Sequence, residues 1–177
     1  MADNLTKPQR RKCMSNIHSK ETAPEVLLRN SLWRLGFRYR MNDKRLPGKP
    51  DIVLPKYRTV IFVHGCFWHG HHDCKKYVVP KSNTEYWIKK VSGNKQRDEI
   101  VWRQLEAKGW SVIIVWECEI EKKRFPETIE RVENEIIANG IMFQKRLQER
   151  RITREQRLDE RRAQKEKYEA LKAELSR

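Results

Sequence analysis

The sequence predicts a mixed α/β fold in which helices flank a central sheet. Three observations support this prediction: helical periodicity in three segments, short β-branched runs between them, and turn residues at their boundaries. The predicted order of elements is α, β, β, β, α, β, α. No internal repeat is found, so one domain carrying a tail is expected.

The first helix is predicted from about residue 23 to residue 35. Thr22 followed by Glu25 three residues later indicates a capping box, Pro24 favours a first helical turn, and Gly36 is typical of a helix end. The next segment, 37–39, alternates aromatic residues with arginine and is typical of a strand.

The remaining elements follow from β-branched runs and punctuating residues. The runs 51–54 and 59–63 are separated by four turn-forming residues, which predicts a hairpin. A helix is predicted from about Asn94 to Lys108, before Gly109, and a buried strand from Trp110 to Trp116. A last helix is predicted over 126–139, with Gly140 behind it.

The net charge divides the chain into two parts. The 177 residues include 39 Lys or Arg and 24 Asp or Glu, a net charge of +15. Residues 145–177 contain 12 basic and 7 acidic side chains without Gly or Pro, which predicts a charged, helical or disordered tail. A solvated helix and a basic arm on nucleic acid are both open for this tail. Residues 1–144 keep a net charge of +10 and form the predicted domain, whose basic segment 1–20 is expected to contact DNA.

The composition also favours a soluble protein inside the cell. No apolar run approaches the roughly 18 residues of a membrane-spanning helix, and residues 1–8 lack the apolar stretch of a secretion signal. We therefore expect a cytoplasmic, nucleoid-associated protein without membrane contact. In a reducing compartment the four cysteines are poor candidates for disulfides, so metal binding, catalysis or burial remain.

One short segment concentrates the metal-ligating residue types. Four of the five histidines lie between residues 64 and 72. Cys66, His71 and Cys74 are close enough in sequence for one loop to surround a soft cation, and Cys118 after the predicted strand is a candidate fourth ligand. Thiolates and imidazole in a tetrahedral set are typical of structural zinc. An ordinary core cysteine is the alternative interpretation of Cys118.

Asp51 is a second candidate, for a hard cation. It follows Pro50 at the start of a predicted strand, and a carboxylate there suits Mg²⁺ and phosphate chemistry. Nucleases of the restriction-enzyme fold place a second acidic residue and a lysine on the next strand. This chain has Phe62 and His64 there, so either it is an inactive relative or histidines take over the proton chemistry.

The segments that carry these candidates resemble the very short patch repair (Vsr) DNA mismatch endonucleases. The resemblance rests on the runs 62–69 (Phe-Val-His-Gly-Cys-Phe-Trp-His), 46–51 and 115–118, and it extends from about Lys7 to Ile137. It implies a restriction-endonuclease-like core with a structural zinc. It also implies a Mg²⁺-dependent enzyme that nicks one strand 5′ of the T in a T:G mismatch, the product of 5-methylcytosine deamination.

The resemblance implies a role for each matching residue. Asp51 and the main-chain carbonyl of Val63 would bind Mg²⁺, and Glu25 would reach that ion through water. His69 would be the general base or would orient the attacking water, and His64 would act through metal-bound water or at the scissile phosphate. Zinc would be held by one histidine and three cysteines: Cys66, His71, Cys74 and Cys118, with His72 as the alternative to His71.

The resemblance also implies how the mismatch is recognised. Phe67 and Trp68 would stack beside it from one groove, while Met14 and Ile17 would enter the opposite groove. Lys90 and Asn94 would contact the mismatched bases. From the residues alone, the two aromatic side chains could instead be buried, and Lys90 could contact a phosphate.

Two other classes of function stay open at this point. One is a zinc-stabilised DNA-binding module without cleavage activity, and the other is a restriction-like endonuclease without mismatch specificity. Under the Vsr reading, the partners are double-stranded DNA with a T:G mismatch, a functionally linked cytosine-5 DNA methyltransferase, and mismatch-repair proteins. A monomer is expected because a nick at an asymmetric lesion needs one active site.

Overall fold

The computed structural model describes residue 6, residues 8–9, residue 12 and residues 21–175, with side chains described as far as residue 168. Within these residues the order is α1 (Ala23–Arg34), β1 (Arg40–Met41), β2 (Ile52–Leu54), β3 (Thr59–His64), α2 (Thr84–Ala107), β4 (Ser111–Trp116) and α3 (Phe125–Leu175). Two 3-10 turns, Pro55–Tyr57 and Glu117–Ile120, join β2 to β3 and follow β4. The predicted order and the mixed α/β class are confirmed.

The four strands form one mixed sheet in the order β1-β2-β3-β4. The pairs β1–β2 and β2–β3 are antiparallel, which confirms the predicted hairpin. Strands β3 and β4 are parallel, with His64 opposite Trp116 at the end of their ladder. Parallel neighbours need a crossover connection, and α2 lies in it.

Successive strand residues point to opposite sides of the sheet, and a hydrophobic cluster covers each side. One core cluster contains Ile61, Ile113 and Val115 from the strands with Leu28 of α1 and Val132 of α3. The opposite cluster joins alternate strand residues to the inner face of α2, and its buried members are Val53, Val60, Phe62 and Leu105. Residues that follow β3 and β4 therefore emerge at one edge of a sheet whose strands are fixed from both sides.

Two sequence predictions about helix boundaries were wrong. Helix α2 begins at Thr84, ten residues before the predicted start, and contains Gly93. The last helix continues past Gly140 to Leu175. Glycine inside a helix is less favourable than alanine by only about 1 kcal/mol, so it does not end a helix whose neighbours are good helix formers.

The predicted capping box at α1 is also absent. Thr22 is the N-cap, but its side chain makes no capping hydrogen bond. Its hydroxyl instead donates to Glu25 Oε1 at 2.8 Å, and Glu25 Oε2 accepts from the N–H of Glu21 at 3.0 Å. The two hydrogen bonds hold the Glu25 carboxylate in a fixed orientation, so the Thr22 hydroxyl serves this carboxylate rather than the helix backbone.

The chain divides into two compact units, Met1–Asn139 and Gly140–Arg177. The sheet and all the site residues discussed below belong to the first unit. The second unit is a charged helical segment whose side chains are exposed from residue 144 to residue 168. None of the helices in the described part of the chain combines the length and apolar character needed to cross a bilayer.

Candidate active site and metal centre

The end of β3 and the loop after it bring two histidines into contact. His64 is the last residue of β3, and His69 lies in the turn that follows. The backbone N–H of His69 donates to the carbonyl of Gly65 at 3.2 Å. The two imidazole rings stack with centroids 3.7 Å apart and planes 14° apart. This stacking fixes the orientation of both rings relative to the sheet.

Asp98 of α2 completes this group. His69 Nδ1 lies 2.6 Å from Asp98 Oδ2, and both side chains are largely buried. The ligating atoms of His64, His69 and Asp98 lie within 4.8 Å of one another. A carboxylate at Nδ1 fixes the tautomer that leaves Nε2 free to accept a proton. The pairing thus orients His69 for acid–base chemistry.

His64 is the most buried of the histidines described in the structure. Its Nδ1 is a buried side-chain nitrogen with no hydrogen-bond partner among the described residues. Burial, together with the neighbouring His69, lowers the pKa of His64 to about 4, so the ring is neutral at pH 7. An unpartnered buried nitrogen in a cleft is a place where a ligand atom can bind.

Asp51 lies directly before β2, next to these histidines. Its Oδ2 accepts the N–H of Val63 at 2.8 Å, which joins it to β3. Burial raises the pKa of Asp51 to about 6, the Val63 N–H opposes this rise, and the negative charge of Glu25 adds to it. Two carboxylates and a backbone carbonyl in this region are oxygen ligands of the kind that Mg²⁺ prefers.

A cleft of about 600 Å³ opens beside these groups. Its walls include Glu25, Val63, Trp68, Lys90 and Asn94. It therefore places most of the residues predicted for catalysis and for base contact around one space. Met14 and Ile17, predicted to enter the opposite groove, lie outside the described residues.

The predicted aromatic pair is joined by a third ring that sequence reasoning missed. Phe67 and Trp68 are each half-buried, and Trp87 of α2 contacts both, with ring centroids 5.2 Å from Phe67 and 6.0 Å from Trp68. Asn94 Nδ2 donates to the carbonyl of Trp68 at 2.9 Å. Asn94 therefore positions the turn that carries Phe67 and Trp68, which we call the aromatic turn. One N–H of the Asn94 amide remains for a ligand.

A glycine permits the turn to approach helix α2. Gly70 has a φ of +60°, and a Cβ there would lie 2.7 Å from Val91 Cγ1 and 2.8 Å from Lys95 Cε. A larger residue would require both a strained backbone and a shift of the loop from the helix. The loop bearing His69 is thus held against α2 by close backbone packing.

The second cluster contains the four residues predicted to bind zinc. The ligating atoms of Cys66, His71, Cys74 and Cys118 lie within 4.8 Å of one another. His71 Nδ1 is 3.5 Å from Cys66 Sγ and 3.4 Å from Cys118 Sγ. The four residues can therefore hold one metal ion between the loop and the segment that follows β4.

The structure brings His71, and not His72, to the cysteines. The His71 ring stacks on Trp116 with a centroid distance of 4.1 Å and an interplanar angle of 2°. His72 has a side chain 87% exposed and contacts the equally exposed Asp73. Cys118 is buried, as a core cysteine would be, but its Sγ also lies beside His71 Nδ1.

The three thiols of the cluster differ in acidity. Burial raises the pKa of the Cys66 thiol to about 12 and raises that of Cys118, whereas backbone N–H groups near Lys76 lower the pKa of Cys74. Buried thiols of this kind become thiolates when a cation binds them. A donor set of three sulfurs and one imidazole suits a soft or borderline divalent metal.

Asp98 and Trp87 are the two site residues that sequence reasoning did not find. Asp98 lies one helical turn after Asn94, so an acidic side chain on the same helical face was an available signal. Trp87 fell in the part of α2 that was not predicted to be helical. Its contribution depends on tertiary packing against the loop.

Comparison with known proteins places the chain in a family. Residues 2–76 match the family model of the DNA mismatch endonuclease Vsr. A type II nicking enzyme of Neisseria meningitidis, V.NmeAIP, is 53% identical over 137 residues, covering 77% of this chain and 97% of that protein. The DNA mismatch endonuclease Vsr of Escherichia coli is 42% identical over 147 residues, covering 81% and 94%. The chain therefore belongs to the Vsr family of DNA mismatch endonucleases.

Proposed function

We propose that this mismatch endonuclease nicks one DNA strand 5′ of the T in a T:G mismatch and requires Mg²⁺. The observation that carries the proposal is the convergence of the His69–Asp98 pair, His64, Asp51 and Glu25 beside the aromatic turn. Acid–base groups, oxygen ligands and a stacking surface are the three parts that mismatch-directed hydrolysis of a phosphodiester requires.

His69 serves as the general base in this proposal. The Nδ1–H of His69 donates a hydrogen bond to Asp98 Oδ2 at 2.6 Å, so Nε2 is available to remove a proton from the attacking water. The stacked His64 ring supports this orientation and contacts the phosphate. Because His64 is neutral, it positions the phosphate through hydrogen bonding rather than charge.

Asp51, Glu25 and the carbonyl of Val63 fit a magnesium ion. All three offer oxygen, Glu25 is only 7% exposed, and the two carboxylates lie close enough for their charges to interact. In this proposal Asp51 and the Val63 carbonyl bind the ion directly, and Glu25 reaches it through water. Bound Mg²⁺ supplies positive charge that stabilises the charge developing on the phosphate.

Zinc is the metal proposed for the thiol cluster. Three cysteines and one histidine leave no position for a substrate, so the ion is structural. The cluster joins the loop after β3 to the segment after β4. Lys76 reinforces the same connection through ion pairs with Glu117 at 3.2 Å and Glu121 at 2.9 Å.

The aromatic turn provides the proposed mismatch recognition. A T:G wobble pair unstacks more easily than a Watson–Crick pair, which favours insertion of a rigid aromatic side chain beside it. Phe67 and Trp68 are backed by Trp87 and partly exposed, as such a wedge requires. Lys90 is exposed at the same cleft and, with the free N–H of Asn94, would contact the mismatched bases.

The sheet is proposed to be a restriction-endonuclease-like core. An antiparallel hairpin with Asp51 before its first strand, followed by a helical crossover to a parallel strand, supports this assignment. The second acidic residue and the lysine of that fold are replaced at Phe62 and His64. In this proposal, the His64–His69–Asp98 group compensates for their loss.

The proposed cellular setting follows from the substrate. A T:G mismatch arises when 5-methylcytosine deaminates, so the enzyme would act on double-stranded DNA that a cytosine-5 methyltransferase has modified. Mismatch-repair proteins would share this substrate inside the cell. One active site cuts one strand, so a monomer suffices.

A paired cleavage assay tests the proposal. T:G and C:G duplexes of otherwise identical sequence are incubated with the protein, with Mg²⁺ present or omitted. We expect a nick 5′ of the mismatched T with Mg²⁺, and none after Asp51→Ala or His69→Ala. Equal cutting of the C:G duplex would indicate a restriction-like endonuclease instead. Mismatch binding without any nick would indicate a DNA-binding module.

A further inference from the structure

Six of the ten basic side chains between residues 145 and 168, in the charged segment at the end of α3, lie on one side of the helix. Six basic side chains recur every three or four residues along it, and all are exposed. At 3.6 residues per turn they fall within a sector of about 100° around the helix axis. We call this set the basic stripe: Arg146, Arg150, Arg154, Arg157, Arg161 and Lys165.

The acidic side chains of the same segment avoid the basic stripe. Five acidic residues lie between residues 146 and 168, and helical geometry places every one outside that sector. They are Glu149, Glu155, Asp159, Glu160 and Glu166. A helix that is merely solvated needs no such separation, since mixed charges at i and i+4 stabilise it better.

Ion pairs in this segment follow the same division. Arg151 pairs with Glu155 at 3.0 Å and Arg162 with Asp159 at 3.5 Å, and both arginines lie outside the basic stripe. Over the described residues, no ion pair within 4.0 Å includes a stripe residue. Like charges at i and i+4 repel, so the basic stripe is a source of instability that a bound polyanion would relieve.

We propose that the basic stripe binds the phosphate backbone of duplex DNA. The stripe extends over roughly 28 Å, the length of about 19 residues at 1.5 Å each. Duplex DNA presents one negative charge per roughly 1.7 Å of its axis, so several phosphates are available over this length. Arginine, which forms five of the six positions, matches phosphate oxygens with two parallel hydrogen bonds.

The apolar side chains of the segment argue against a membrane as the ligand. Leu147 and Leu158 lie near one edge of the basic stripe, whereas Ile152 lies on the far side. An interfacial helix needs a continuous apolar face opposite its basic residues. The choice of DNA rests on the proposed function, in which the same chain acts on duplex DNA.

The test compares two variants with the same change in charge. The stripe variant replaces Arg150, Arg154, Arg157 and Arg161 with Gln, and the control variant replaces Lys145, Arg151, Arg162 and Lys167 with Gln. Gln is a good helix former, and circular dichroism checks that both segments keep their helicity. Binding to fluorescent T:G and C:G duplexes is measured by anisotropy without Mg²⁺ between 50 and 200 mM salt.

Each phosphate contact contributes about 0.9 to the slope of log K against log salt. Loss of four contacts should therefore flatten the slope by roughly 3.6, so the wild-type protein would lose about 150-fold more affinity than the stripe variant over this salt range. The control variant should keep the wild-type slope. Replacing the same four arginines with Lys should also preserve most of it, since charge is retained.

Three outcomes would overturn the proposal. Equal effects of the stripe and control variants would show that net charge alone matters, and an unchanged stripe variant would show that the stripe does not touch DNA. A stripe variant that keeps its DNA affinity and yet loses affinity for vesicles that contain anionic lipid, measured in the same way, would indicate a membrane ligand. Loss of discrimination between T:G and C:G by the wild-type protein would count against the proposed function instead, because the stripe contacts do not depend on the mismatch.

Discussion

Replacing Asp51 with Asn should stabilise the protein while abolishing its nicking activity. Asp51 is a buried acid whose pKa is raised from 3.8 to about 6 by burial and by the charge of Glu25. At neutral pH the folded protein must hold this carboxylate ionised in an unfavourable environment. Asn has the same shape, carries no charge, and can still accept the N–H of Val63 through its carbonyl oxygen.

The size of the effect follows from the linkage between pKa and stability. A folded-state pKa about 2 above the unfolded-state value lowers the free energy of unfolding by about 3 kcal/mol at any pH above both values. Because the folded-state pKa is raised, the destabilisation is absent below about pH 4, grows as the pH rises towards 6, and is complete above about 7. At pH 5 the Asn variant should show about half of its full advantage.

Urea unfolding of wild-type protein and Asp51→Asn at pH 5 and pH 8, without added Mg²⁺, measures this advantage. Asp159→Asn is the matched control, because it removes the same charge from an exposed position. Added Mg²⁺ should stabilise the wild-type protein and narrow the difference. A variant no more stable than wild type at pH 8, or an advantage that does not change with pH, would refute the reasoning.

Three further predictions concern other parts of the site. Asp98→Asn should leave T:G binding intact but slow single-turnover nicking by about 10²-fold or more, because His69 loses its orienting carboxylate; an unchanged rate would exclude this role. His71→Ala should lower the zinc content below the one ion expected per chain, whereas His72→Ala should retain it, as measured by metal analysis of purified protein. Trp68→Ala should weaken T:G binding by roughly 5- to 150-fold, the range expected for loss of one base–aromatic stack, and leave C:G binding unchanged.

The elements of the fold were predictable where a periodic pattern coincided with a complete boundary signal. Helix α1 matched its prediction to within one residue because Pro24 and Gly36 mark its ends. Helix α2 was shortened in the prediction because Gly93 was given the weight of a terminator. Local signals cannot show that a helix will cover a face of a sheet. The packing of α2 on the sheet stabilises the helix around Gly93.

The candidate site was predictable for residues that lie close together in sequence. The segment 64–74 carries His64, His69 and three donors of the thiol cluster, so their proximity follows from chain connectivity. Asp98 reaches His69 across 29 residues, and no local pattern encodes that approach. At Thr22 a local pattern was present but misleading. Its spacing from Glu25 predicts a helix cap, whereas in the folded protein its hydroxyl donates to the Glu25 carboxylate.

The loop after β3 explains how a site without the usual second carboxylate and lysine can stay ordered. Within this loop, 65–74, there is no helix or strand, yet it carries His69, both proposed wedge residues and three donors of the thiol cluster. Backbone hydrogen bonds alone provide few constraints on such a segment. A metal ion at Cys66 and Cys118 would tie the loop to the end of β4 while Gly70 packs it on α2. The proposed aromatic wedge and the proposed general base would then be positioned by the same constraint, which would link recognition of the mismatch to the chemistry at the phosphate.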